Sequence, residues 1–298
     1  MRIGIDLGGT KIEGVVLDDD NLIRAKIRRP TPQDDYAAIV RTIAEIIAEL
    51  ELEVGAQCSV GIGTPGAISP FSGGIKNSNT VVLNGRDLRA DLEALTARAL
   101  HFANDANCMA LSEAVDGAGE GACSVFGVII GTGTGGGLVY EGRLITGANA
   151  IAGEWGHNPL PHLTPADHPL PMCYCGKQAC IETYLSGAGF SRLYASLAKR
   201  QLSAELIAQR ARSGEGAAEK TIEIYAERLA RALSTVINVF DPEVVVLAGG
   251  LSNLPGLEQL CAQKLPQFVF SDHVRTSIKK ARHGDSSGVR GAAWLAPS

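Results

Sequence analysis

The feature that most constrains this chain is an order of elements that occurs twice. Arg2 to Leu7, Ile12 to Asp18 and Ile23 to Arg28 read as three short strands, joined by a tight Gly8-Gly9-Thr10-Lys11 turn and a polar Asp18-Asp19-Asp20-Asn21 turn. Such a run is an antiparallel meander. Apolar residues then fall at helical spacing between Asp34 and Val54, a strand follows from Cys58 to Gly63, and a helix from Asp87 to Leu100 leads to a short strand at His101 to Ala103 and a helix from Ala106 to Val115. The meander returns as strands Ser124 to Ile130, Leu138 to Tyr140 and Arg143 to Ile145 around the loop Gly131 to Gly137. A shift of 123 residues places Gly4 on Gly127, Gly8 on Gly131 and Gly14 on Gly137.

A long helix from Ala217 to Phe240, an apolar strand from Val244 to Leu247 and a last helix near Gly288 to Leu295 complete the pattern. Two units of this kind predict two α/β domains facing a cleft. We place the first at 1–117 with the C-terminal helix at about 285–298, and the second at 118–284. A chain of 298 residues with 45% apolar content buries a full core, so it is neither disordered nor a small disulfide-stapled scaffold. The net charge of −5, with no basic tract, argues against nucleic acid as the main ligand. The longest uncharged run, Gly121 to Tyr140, carries seven glycines and is no transmembrane helix. The chain enters a strand pattern at its first residues with no signal-peptide pattern, and we expect it in the cytoplasm.

Two Gly-rich turns suggest close approach of backbone to a ligand. Gly131-Thr132-Gly133-Thr134-Gly135-Gly136 matches the dinucleotide pattern, but a strand follows it where that motif needs a helix. A bare hairpin is a second reading. A third is a nest of backbone N–H groups and Thr132 and Thr134 hydroxyls wrapped round phosphate, with Asp6, Gly8, Gly9, Thr10 and Lys11 as the counterpart in the first domain. Asp6 would there hold Mg²⁺ through water. Of seven cysteines, Cys58, Cys108, Cys123 and Cys261 are scattered and read as small buried residues. Cys173, Cys175 and Cys180 cluster, and with a histidine they make a Cys₃His set for Zn²⁺, for which His157, His162 and His168 compete. Asp105 follows a strand end and reads either as a helix cap or as a general base. Glu182 reads either as a helix-start carboxylate or as a ligand contact.

The two loops, together with Ala103-Asn104-Asp105-Ala106-Asn107, Gly153-Glu154-Trp155-Gly156-His157, Cys173-Tyr174-Cys175 through Cys180-Ile181-Glu182, and Val246 to Ser252, resemble the ROK family of sugar kinases and repressors over essentially the whole chain. The resemblance implies the two-domain actin-like and hexokinase-like ATPase fold, a ribonuclease H-like α/β architecture with an interdomain cleft. It implies Mg-ATP held by Asp6, Gly8, Gly9, Thr10, Lys11, Gly131, Thr132, Gly133, Thr134 and Gly135, with Gly249 and Gly250 on the adenosine side. It further implies Asp105 as base and Asn104, Glu154, His157 and Glu182 as sugar contacts, with Asn79 and Gly66 added. The zinc ligands become His157, Cys173, Cys175 and Cys180, a structural Zn²⁺ pinning the loop Pro159 to Pro171. Ala179 departs from the family's usual glycine at that position. A homodimer is expected on the same ground.

Repressors of the family carry a DNA-binding domain before the first phosphate loop, which here begins at residue 6, so a kinase is expected over a regulator or a non-catalytic sugar sensor. Ile68 to Lys76, Glu154 to Pro161, Glu182 to Gly187 and His283 to Ala293 look closest to bacterial fructokinases of the manno(fructo)kinase type. The expected substrate is therefore fructose, converted to fructose 6-phosphate, and mannose besides. The alternative is an N-acetylglucosamine, N-acetylmannosamine or glucose kinase of the same family.

Overall fold

The computed structural model describes residues 1–296, which separate into two compact units. The first comprises residues 1–120, 142–152 and the chain from 282 onward; the second comprises 121–141 and 153–281. Residues 142–152 thus leave the block in which the sequence places them. The Lys76 ammonium donates to the Asn149 carbonyl at 2.7 Å and holds this segment in the first unit.

The first unit is built on β1 (Arg2–Leu7), β2 (Lys11–Leu17) and β3 (Ile23–Pro30), followed by α1 (Tyr36–Val54). Asp35 caps α1 by accepting from the Ala38 N–H, and Gly55 ends it at φ +66°. Its stripe of Ile39, Val40, Ile43, Ile46, Ile47 and Leu50 is buried. After β4 (Ser59–Thr64) come a small hairpin, β5 (Ala67–Ile68) and β6 (Ile75–Lys76), then α2 (Leu88–Thr96), β7 (His101–Asn104) and α3 (Asp105–Val115). The sheet order is β3-β2-β1-β4-β7, antiparallel across the meander and parallel from β1 through β4 to β7. Asp6 is in register with Gly63, and Thr64 with Asn104, so the ends of the parallel strands bring Asp6, Thr64 and Asn104 to one edge.

The second unit begins with β8 (Ser124–Ile130) and β9 (Thr134–Tyr140), and the chain continues into β10 (Arg143–Ile145). Helices α4 (Ile181–Leu185), α5 (Gly187–Ala198), α6 (Ala204–Arg212) and α7 (Gly216–Phe240) follow, then β11 (Val244–Ala248), α8 (Leu257–Lys264) and β12 (Ser277–Lys280). Within the second unit the sheet reads β9-β8-β11-β12, with β8, β11 and β12 parallel. This repeats the order β2-β1-β4-β7 of the first sheet.

The repeat is real in topology, but one of its three glycine matches slips. Leu7 pairs with Ile12 across four turn residues, whereas Ile130 pairs with Thr134 across three. The second turn is one residue shorter, so Gly14 corresponds to Gly136 and not to Gly137. Strand β9 also starts at Thr134, four residues before the expected Leu138, because Gly135, Gly136 and Gly137 are strand residues.

The last helix, α9 (Ser287–Trp294), packs in the first unit against α3, β1 and β4. It does so at backbone distance. A Cβ on Gly4 would stand 2.0 Å from the Val289 carbonyl, and one on Gly61 would stand 1.9 Å from that of Ala292. Among the described residues, no helix is long and apolar enough to cross a membrane.

In the second unit Asp167, 3% exposed, accepts from Arg228 and Arg231 on α7 at 2.9 Å each and from the Thr164 N–H at 2.8 Å. The loop 159–171 is therefore tied to α7 whether or not a metal is present. Burial opposes ionisation of Asp167, but the Arg231 guanidinium and the hydrogen bonds from the Thr164 N–H and hydroxyl outweigh it and hold its carboxyl well below the usual range. Asp167→Ala leaves two buried cations without their anion, which costs about 3–5 kcal/mol. Thermal unfolding at pH 7 is expected to shift down by on the order of 10 °C. Because the folded-state pKa is depressed, this contribution is fully present above the ordinary carboxylate range. It is lost as pH falls toward the folded value, so wild type and variant should converge in strong acid.

Candidate active site

In the first unit the edge formed by the ends of β1, β4 and β7 carries two carboxylates. Asn104 caps α3 by accepting from the Asn107 N–H at 2.8 Å, which commits its Oδ1 and leaves its Nδ2 to donate elsewhere. Asp105 is the first helical residue, and its Oδ1 accepts from the Ala106 N–H at 2.8 Å. The capping role considered for Asp105 therefore falls to Asn104. The Asp105 side chain is open to solvent at its edge, yet the protein crowded round it removes enough hydration to raise its pKa. Asp6 rises to about 6, first through desolvation and then through the charge of Asp105, with Lys11 opposing. A buried carboxylate raised further by the charge of a second one marks a site short of positive charge, and a divalent cation at Asp6 would relieve it.

The turn after β1 is held by its carbonyls. Gly8 N–H donates to Lys11 O at 2.9 Å, Thr31 Oγ1 donates to Gly8 O at 2.7 Å, and Thr31 N–H donates to Thr10 O at 3.0 Å. Gly9 and Thr10 are exposed, and the Lys11 ammonium sits 3.8 Å from Glu13. Gly66 and Asn79 are placed differently. Gly66 has φ +87°, and a Cβ there would meet the Lys76 carbonyl at 2.4 Å, so the β5–β6 hairpin itself demands glycine at this position. Asn79 is exposed beside Thr80, whose hydroxyl lies against Gly9.

In the second unit the segment Gly153 to His157 lies flat on β9. A Cβ on Gly153 would stand 2.2 Å from the Gly136 carbonyl, and one on Gly156 would stand 2.1 Å from that of Thr134. Trp155 is buried, donates from Nε1 to Gly135 O at 3.0 Å and meets Phe126 edge to face at 5.4 Å. The two glycines and the tryptophan fix the segment, which leaves Glu154 and His157 as its chemically active members. Glu182, in the first turn of α4, accepts from the Thr134 N–H at 2.9 Å through Oε2, and a Cβ on Gly133 would clash with that oxygen. The Thr134 hydroxyl is buried without a hydrogen-bond partner among the described residues, a donor suited to a ligand oxygen.

His157, Cys173, Cys175 and Cys180 place one ligand atom each within 4.8 Å of one another. His157 Nδ1 is 3.6 Å from Cys173 Sγ, and Cys175 Sγ is 3.6 Å from Cys180 Sγ. A tetrahedral zinc with ordinary bond lengths has ligand–ligand edges of about 3.6–3.8 Å, so the donor set fits. His162 and His168 are not part of the group.

A cavity of about 1250 Å³ opens in the second unit, lined by Gly131, Thr132, Gly250 and Leu251 together with Arg192 on α5 and the segment 201–206. Gly249, at φ +84°, brings its backbone against the Ile130 carbonyl, so it shapes the cavity without lining it. The α5 and α6 wall was not legible in the sequence, because ordinary amphipathic helices carry no ligand motif.

Ala179 adopts φ +57°, a left-handed conformation that glycine takes without strain and alanine does not. Its N–H donates to Pro171 O at 2.9 Å, so the turn keeps its form despite the side chain. Ala179→Gly is expected to stabilise the protein by about 1 kcal/mol at unchanged metal content, read by denaturant unfolding and metal analysis.

The ROK family model matches residues 2–298. N-acetyl-D-glucosamine kinases of Shigella boydii and Escherichia coli are each 41% identical over 299 residues, covering 99% of both chains. A ROK hexokinase from Thermus thermophilus superposes with a TM-score of 0.87 at 31% identity, covering 99% of this chain and 97% of that one. A ROK glucokinase from Streptomyces griseus, solved with glucose and AMPPNP, gives 0.78 at 26% identity over 99% and 98%. The Gly-rich loops, the paired carboxylates and this full-length similarity agree: the chain belongs to the ROK family and is an ATP-dependent hexose kinase of the actin-like and hexokinase-like ATPase fold.

Proposed function

We propose that this kinase phosphorylates N-acetyl-D-glucosamine, in place of the fructose expected from short motifs. The observation that carries this reading is the 41% identity, across the full length, to relatives named for that sugar. Asp105 is the general base: with Oδ1 engaged by the Ala106 N–H, Oδ2 remains to take the proton from the attacking hydroxyl. Asn104 Nδ2 donates to a sugar hydroxyl, and Glu154, His157 and Glu182 supply the remaining polar contacts. The turn Gly8 to Lys11 and the hairpin Gly131 to Gly135 orient the phosphates by backbone N–H groups. Mg²⁺ at Asp6 neutralises phosphate charge when bound. Zinc on His157, Cys173, Cys175 and Cys180 has four protein ligands and therefore serves structure.

A coupled ADP-release assay with Mg-ATP against N-acetylglucosamine, N-acetylmannosamine, fructose, mannose and glucose tests the substrate. N-acetylglucosamine should give the highest kcat/KM; preference for fructose reverses the assignment, and no turnover with any sugar favours a sensor. Asp105→Asn should lower kcat by about 10²–10⁴ while sugar binding by calorimetry persists. Retained turnover removes Asp105 from the role of base. The active base is deprotonated and burial raises the pKa of Asp105, so kcat/KM should fall with acid at a pH above the ordinary carboxylate range.

A further inference from the structure

Tyr174 lies between two cysteines of the cluster, and its hydroxyl is 3.0 Å from His157 Nε2. The two rings meet edge to face, with centroids 5.2 Å apart at 89°. The imidazole turns Nδ1 toward Cys173 Sγ, and with Nδ1 given to the proposed metal Nε2 carries the proton and is a donor. That N–H is what the ring has left for the sugar contact proposed for His157, and one N–H serves one acceptor well. In the sugar-free protein it is already engaged by Tyr174.

Tyr174 is 83% exposed, so its ring has open solvent to move into. Its backbone is held, since Gly176 N–H donates to Cys173 O at 3.0 Å and Cys173 N–H to Lys177 O at 2.8 Å. Displacement therefore needs side-chain rotation alone and sacrifices one hydrogen bond and one ring contact. We propose that Tyr174 is a specificity-determining residue of the sugar site, a hydroxyl that stands in for the sugar on His157 Nε2 and is displaced when the sugar binds. Any ligand that displaces it incurs the loss, and only a sugar placing an acceptor on Nε2 recovers it. The inference rests on the proposed role of His157 as a sugar contact.

The test is Tyr174→Phe in the metal-loaded enzyme, with N-acetylglucosamine affinity read by calorimetry without ATP and by steady-state kinetics. Removing the competing hydroxyl should lower the sugar Kd and KM about two- to tenfold, the range of one net hydrogen bond, with kcat within about twofold and the ATP KM unchanged. Metal content and Tm should match wild type, which separates the effect from a structural one. A sugar Kd that is unchanged or weaker in Tyr174→Phe overturns the proposal and leaves the substrate assignment standing. A wild-type protein that binds none of the hexoses overturns both.

Discussion

Glu182 Oε2 accepts a hydrogen bond of 2.9 Å from the Thr134 N–H, and the second unit is organised around it. Thr134 opens β9, and on the backbone of β9 lie Gly153 and Gly156, which carry Glu154 and His157 between and beside them. Glu182 stands two residues after Cys180, which immediately precedes α4 and belongs to the thiol and imidazole group. One charge-assisted bond, of the kind that contributes about 1.5–3 kcal/mol, thus joins the hairpin proposed for phosphate, the side chains proposed for sugar and the metal cluster. A carboxylate in this place has a demand of its own: the residue before Thr134 must lack a side chain, and Gly133 meets it.

The first unit solves the opposite problem. Instead of satisfying a carboxylate, it brings two together at the ends of parallel strands and leaves them short of counter-charge. Gly63 and Gly288 let Cys108 and the first turn of α9 come close to Asp6, since a Cβ at Gly288 would stand 3.3 Å from its Oδ2. This crowding raises Asp6 to about 6 and lifts Asp105 as well. The cost is the ordinary cost of a site built for cations and developing charge, and it is borne by a rigid sheet whose last helix is locked on by glycine contacts.

Much of this was legible in the sequence wherever backbone and chemistry demand the same residue. The meander order appeared twice, and the helical stripe of α1 and the cap signal at Asn104-Asp105 lay in the right places, because burial and capping leave strong local patterns. The glycines of β9 were misread as loop because they serve tertiary contact: Gly136 and Thr134 take their form from the segment pressed onto them, and no local pattern records that. Strand β12, Ser277–Lys280, is an edge strand of polar and charged residues and has no apolar period to read. Asp167 hid in a Pro-rich loop because its partners, Arg228 and Arg231, are more than sixty residues away in the chain. Gly66 is a glycine that the β5–β6 hairpin by itself demands, at φ +87°.

The choice of sugar was the least legible part, and the structure gives the reason. The motifs that resemble fructokinases are dominated by residues with backbone or metal duties: Gly153, Trp155 and Gly156 fit β9, the cysteines fit a metal, and Ser186 caps α5. Any hexose kinase of this fold has the same use for them, so agreement there reports the fold and the reaction and says little about the substituents of the sugar. Discrimination between a hydroxyl and an acetamido group has to reside in side chains that the backbone does not dictate. Tyr174 is such a side chain, exposed, unconstrained by packing and yet within hydrogen-bond reach of His157. The sugar specificity of this fold is therefore to be sought at positions that backbone and metal do not dictate. Similarity over the whole chain, which samples those positions, is a better guide to the sugar than the motifs that make the chain recognisable.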